Sequence, residues 1–244
     1  MTRGFYTLGS GMMTQNRMLS AISNNIANVK TPGFKKDTII STTFGDMVMN
    51  RIDSNKTALG DVSFLRTTDI SSTIHSQGML ESTERTLDFA ITGSGFFAVQ
   101  GENGTVYSRN GSFNIDNEGY LVLTGVGRVL GENGPIQVGT DNFNADEKGN
   151  ILSQTGQNIG KIAVYDFEEY ANLLTVGEGL YNGPNPTVVE NPSMRWKSIE
   201  ASNVDVGEEM TNSIATQRIL QSVSQSLKMY DATMQTATTQ IGRL

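Results

Sequence analysis

From Glu208 to Gln240 the chain has neither glycine nor proline. From Leu220 onward apolar residues recur at alternating steps of three and four: Leu220, Val223, Leu227, Tyr230, Met234, Ala237 and Ile241. That spacing lays one narrow stripe along a helix whose flanks of Gln, Ser and Thr stay polar. The start of the chain repeats the rule at Leu8, Met12, Leu19, Ile22, Ile26 and Val29, with Gln15 in the one polar slot. A helix with an uncovered stripe is only marginally stable in water. Any fold for this sequence must therefore lay something against both stripes. The two helices can pair as an antiparallel hairpin, stack on the same helices of neighbouring copies, or do both.

Between the ends the texture changes. Most glycines, and every proline except Pro32, lie between Phe44 and Gly207. Apolar runs such as FAITGSGFFAVQ (89–100), GYLVL (119–123) and KIAVYDF (161–167) predict strands. One internal echo stands out: FNIDNEGYLV (113–122) and FNADEKGNIL (143–152) share F-N-x-D-x-x-G before a later aliphatic. Each predicts a strand, a tight turn closed by Gly119 or Gly149, and a return strand. The expected fold class is α+β: long N- and C-terminal helices in a coiled-coil-like layer, with a central, mainly antiparallel β domain. The expected boundaries are an N-terminal helical segment over 1–34, an extended or irregular connector over 35–74, a β-rich domain over 75–200 and a C-terminal helix over 201–244.

Composition removes several function classes. A net charge of −7 with scattered Lys and Arg excludes a general nucleic-acid binder, which needs clustered cations. With no cysteine there is no disulfide, thiolate nucleophile or Cys-type zinc site, which suits a chain that crosses membranes unfolded. No apolar run reaches membrane-spanning length. The first residues, MTRGFYTLGSGMMTQ, have no signal-peptide core, so the expectation is a cytosolic protein or one exported without a cleavable signal.

No catalytic constellation emerges either. His75 is the one histidine and has no evident base or orienting partner in sequence. Gly93-Ser94-Gly95 is a small-residue kink, not a nucleophile elbow. Gly125-Val126-Gly127 resembles the opening of a dinucleotide loop, but no βα unit surrounds it and a hairpin turn fits better. Residues 114–119 imitate the start of an EF-hand loop, yet the closing position falls on Gly125, and in the sister segment on Thr155. Asn55-Lys56-Thr57, Asn103-Gly104-Thr105 and Asn110-Gly111-Ser112 read as turns. No catalytic, cofactor-binding or metal site is assigned.

The ends and the middle together resemble the flagellar basal-body rod proteins of the rod/hook axial family. The resemblance rests on YTLGSGMMTQNRMLSAISNNIANVKTPGFKK at the N-terminus and on LDFAITGSGFFAVQ, YSRNGSFNIDNEGYLV and VLGENGPIQV in the centre. It continues in IEASNVDVGEEMTNSIATQRILQSVSQSLKMYDATMQ near the C-terminus, so it spans nearly the whole chain. It implies a non-enzymatic structural subunit of the basal body, exported by the flagellar type III apparatus. Such subunits assemble into a helical tube, terminal helices inside and β domain outside, that carries torque from motor to hook. The implied partners are copies of itself, other rod subunits, hook or hook-junction proteins and, outside, ring proteins; neither nucleic acid nor membrane insertion is implied. A hook or hook-junction subunit, and a β binding module tethered by a coiled coil, stay open as alternatives.

The sequence SAISNNIANVKTPGFKK (20–36) sets three asparagines between Ile22, Ile26 and Val29, although Asn is a poor interior helix residue. In a tube, Asn24, Asn25 and Asn28 would hydrogen-bond neighbouring helices and fix register, while Pro32 and Gly33 end the helix and turn the chain outward. The expected subunit-interface set is Leu8, Met12, Leu19, Ile22, Asn25, Ile26, Asn28, Val29, Leu220, Val223, Leu227, Tyr230, Met234 and Ile241. In a free monomer the helical ends are expected to be clipped by protease, leaving a β core of about residues 75–200.

Overall fold

The computed structural model describes residues 2–51, 57–101, 104–177 and 179–241, with backbone alone at 2–3, 42–70 and 241. Residues 55–56 of the first of the three expected Asn-x-Ser/Thr turns, and 103 of the second, therefore lie outside the described residues. The chain divides into two compact units, one holding residues 1–26, 37–72 and 205–244, the other 27–36 and 73–204. It passes between them four times.

The first unit holds both helices, α1 (Thr2–Ala27) and α2 (Val206–Ile241). It also holds most of a two-stranded sheet, Asp37–Arg51 with Thr57–Thr73. The connector expected from sequence is therefore largely a pair of long strands. Asp205 caps α2: its carboxylate accepts the N–H groups of Gly207 (2.8 Å) and Glu208 (3.3 Å). Glu208 and Glu209 in the first turn suit the positive end of the helix dipole.

The second unit is an antiparallel β structure. Its main sheet runs, edge to edge, Leu174–Gly177, Leu180–Asn182, Gly104–Ser108, Phe96–Gly101, Gly127–Gly131, Leu121–Leu123 and Asn114–Ile115. Phe96–Gly101 is central, which explains its unbroken apolar run: Phe97 and Val99 enter one core while Phe96 and Ala98 enter another. The run read as one strand pattern at 89–100 is cut by Gly93 (φ +97°) and Gly95 (φ +107°). Its first part, Phe89–Ile91, pairs instead with Met194–Trp196.

The echo is structural as well as textual. In each copy one aspartate oxygen accepts two backbone N–H groups: Asp116 from Glu118 (2.9 Å) and Tyr120 (2.8 Å), Asp146 from Lys148 (3.0 Å) and Asn150 (2.8 Å). Gly119 (φ +84°) and Gly149 (φ +80°) close the turns. Phe113 and Leu121 from one copy, and Phe143 and Ile151 from the other, are buried in the same core.

Candidate assembly interface

In the helical unit the sequence seam is the covered side of each helix. Leu8, Met12, Leu19, Ile22 and Ile26 on α1, and Leu220, Val223, Leu227, Tyr230 and Met234 on α2, are all half-buried. The side chain of Ile241 lies outside the described residues. On α2 the three-four alternation continues towards the N-terminus through Thr216, Ser213 and Glu209, polar positions that the apolar pattern could not reveal.

Two contacts set the helices antiparallel. A Cβ added at Gly4 would sit 3.2 Å from the Tyr230 ring, and the Asn25 amide donates to the Glu209 carboxylate at 3.3 Å. Between these points a groove of about 490 Å³ opens over Leu19 and Leu220, walled by Asn16, Gln217, Ser224 and Lys228. Large apolar side chains also face away from the seam: Phe5, Tyr6 and Met13 on α1, and Met210, Ile214, Ile219 and Met229 on α2, are exposed.

Asn25, 1% exposed, completes its hydrogen bonds within its own chain. Its amide donates to the Asp37 carbonyl (2.9 Å) as well as to Glu209, and its oxygen accepts the Asp37 N–H (3.0 Å). Asn28 and Val29 fall in the β unit, where α1 has already ended at Ala27. Buried Asn28 shapes the following turn by accepting the Thr31 hydroxyl (3.1 Å) and, through its carbonyl, the Thr31 N–H (3.1 Å). Pro32 and Gly33 continue that turn. Gly33 has φ +71°, and a Cβ there would collide with the backbone of Arg109 and Asn110.

Beyond Gly33 lies a cluster that the sequence reading missed. Lys35 is buried against Glu200, and both side chains are fully covered. Burial pulls Lys35 below the ordinary lysine range, against the opposing pull of its hydrogen bond to Glu200. Lys35 also donates to the Ser76 carbonyl (2.7 Å). Glu200 further accepts Arg109 (3.2 Å) and the Gly78 N–H (2.9 Å). Arg109 donates to the Gly93 carbonyl (2.7 Å) and lies 5.3 Å from the Phe96 ring centre. Asn203 closes the group by accepting the Lys36 N–H (2.7 Å) and donating to the Ile74 carbonyl (2.8 Å). The three charged residues come one from each family-like motif, T-P-G-F-K, Y-S-R-N-G and I-E-A-S-N. That coincidence was the available signal.

His75 packs beside this cluster among Phe96, Tyr170 and Tyr181, at ring-centre distances of 5.8, 5.2 and 5.1 Å. Burial, then the nearby positive charges of Lys35 and Arg109, lowers its pKa to about 4. A neutral ring wedged among aromatics is a packing group, and among the described residues no carboxylate is seen to hydrogen-bond it.

A polar-cored helical pair with exposed apolar flanks, in one chain with a β unit that holds its own apolar core, suits a subunit that assembles. The comparisons agree. Residues 5–35 match the family described as flagella basal body rod protein, and residues 90–209 match the flagellar hook protein FlgE/F/G D1 domain. Residues 197–241 match the flagellar basal body rod FlgEFG protein C-terminal region. The chain is 35% identical to the flagellar basal-body rod protein FlgG of Bacillus subtilis, over 96% of its own length and 97% of the relative's. It is 30% identical to FlgF of Caulobacter vibrioides over 100% and 98%. It is 28% identical to the hook-basal body complex protein FlhO of Bacillus subtilis over the full length of both. The chain belongs to the flagellar basal-body rod protein family: it is a structural subunit of the basal body and not an enzyme.

Proposed function

We propose that copies of this chain stack through α1 and α2 into a helical rod segment that carries torque from motor to hook. The observation that carries this reading is the half-covered seam beside Phe5, Tyr6, Met13, Met210, Ile214 and Met229, large apolar side chains that stay exposed in the single chain. In this reading the seam residues from Leu8 to Ile26 and from Leu220 to Ile241 form a coiled-coil layer with helices of neighbouring copies, while Asn28 and Val29, beyond the end of α1, leave the expected set. Contacts that do not close on themselves give a tube rather than a ring. The partners are further copies, other rod subunits and hook or hook-junction proteins, with ring proteins outside. The type III export apparatus delivers the chain.

Mass spectrometry of basal bodies purified from the source cells tests the reading. This chain should appear at a stoichiometry far below that of the hook subunit, and Leu19→Asp with Leu220→Asp should remove it from the particles while the secreted chain persists. A chain absent from basal bodies yet abundant in the cell would overturn the assignment in favour of a tethered binding module.

A further inference from the structure

Three stretches of chain converge on one glutamate. The Glu200 side chain accepts from Lys35, Arg109 and the Gly78 N–H, and its backbone carbonyl accepts the Gly33 N–H at 2.7 Å. Glu200 also lies opposite Leu80 in the pairing of Ser198–Glu200 with Leu80–Ser82. Lys35 has one ion-pair partner among the described residues, 165 positions away in sequence. Without Glu200, a fully covered ammonium and a nearly covered guanidinium would share the site without this shared counter-charge. Asn203 doubles the dependence, because Lys36 and Ile74 both bond its amide.

We infer that Glu200 makes docking of the N-terminal turn (27–36) and of the C-terminal approach (194–204) a single all-or-none event. The turn that follows α1 and the segment that leads into α2 are held by the same group. The chain therefore docks these two segments together, or docks neither. Because Glu200 sits so late in the sequence, the N-terminal turn stays undocked until almost the whole chain is present.

Native-state hydrogen exchange on the full-length chain tests this. The amides of Gly33, Lys36, Ile74, Gly78 and Ala201 are each bonded to another of the segments in this cluster. In the unaltered protein they should share one opening reaction, with protection factors within about threefold of each other. Glu200→Gln keeps the shape and removes the charge. It should lower protection at all five sites together by about tenfold or more, leaving the amides of Phe96–Gly101 unchanged. Adding Lys35→Met to that variant should restore most of the loss, since the stranded cation is gone. Loss confined to Gly78 would overturn the inference. So would an unaltered protein in which Gly33 and Lys36 open more than about tenfold more readily than Ala201. That second comparison decides the matter even if Glu200→Gln fails to fold.

Discussion

The two units differ in what they bury. In the β unit the covered side chains are mostly apolar, with Phe89, Phe97, Phe113, Leu121, Ile151 and Ile162 all 0% exposed. In the helical unit every described side chain that is buried is polar: Thr14, Asn25, Glu209 and Thr216. Burying apolar area is the main favourable term in folding, whereas a satisfied polar group inside a helix pair chiefly fixes which partner sits where. The β unit is thus stabilised by its own core. The helical unit has its register set, while its apolar stripe is only half covered.

The contrast can be broken most forcefully from the β side. Phe97→Ala, in the centre of the main core, should cost about 3–5 kcal/mol of stability. Chemical denaturation followed by the fluorescence of Trp196, the sole tryptophan, reads that loss. A cost near zero would mean that the β unit, too, waits for partners. Gly33→Ala comes next. The left-handed backbone and the collision with Arg109 and Asn110 should together cost more than about 2 kcal/mol. The helices should show little change by circular dichroism.

The effect of pH is smaller. Because the folded-state pKa of His75 lies at about 4, below its ordinary value, the unfolded chain binds the extra proton first. Stability from this residue is complete above about pH 6.5 and falls as the pH drops towards 4. His75→Phe should flatten that part of the stability curve, measured by denaturant midpoints across the range. An unchanged slope would show that other groups control it. The smallest effect expected on the isolated chain is that of Leu220→Ala, under about 1 kcal/mol, because a half-covered leucine has little burial to lose. The same variant should assemble poorly into basal bodies. A large loss of monomer stability would erase the contrast between the units.

What could be read from sequence follows the same division. Both helices and the twin turns are local patterns, visible at steps of three, four or six residues; the structure has both helices and both turns, but α1 stops at Ala27, before the last step of its stripe at Val29. The polar continuation of the α2 seam through Glu209, Ser213 and Thr216 carries no apolar mark. The junction escaped for a different reason. A lysine after T-P-G-F looks like solvent-exposed charge until a glutamate 165 residues later is seen to cover it. Nothing local distinguishes Glu200 from a surface residue of a short strand, and Asn25 likewise reveals its role only through Asp37 and Glu209.

The polar interior of the helical unit also has a calorimetric meaning. Heat capacity on unfolding tracks apolar surface exposed to water. A helix pair that hides Thr, Asn and Glu while leaving Met, Ile and Phe wet therefore melts with little heat-capacity change of its own. In the rod proposed above, the missing increment would come with polymerisation, as those side chains leave the solvent. Rod growth through this surface, as proposed, would be a reaction of negative heat capacity, driven near room temperature by released water and weakened by cold.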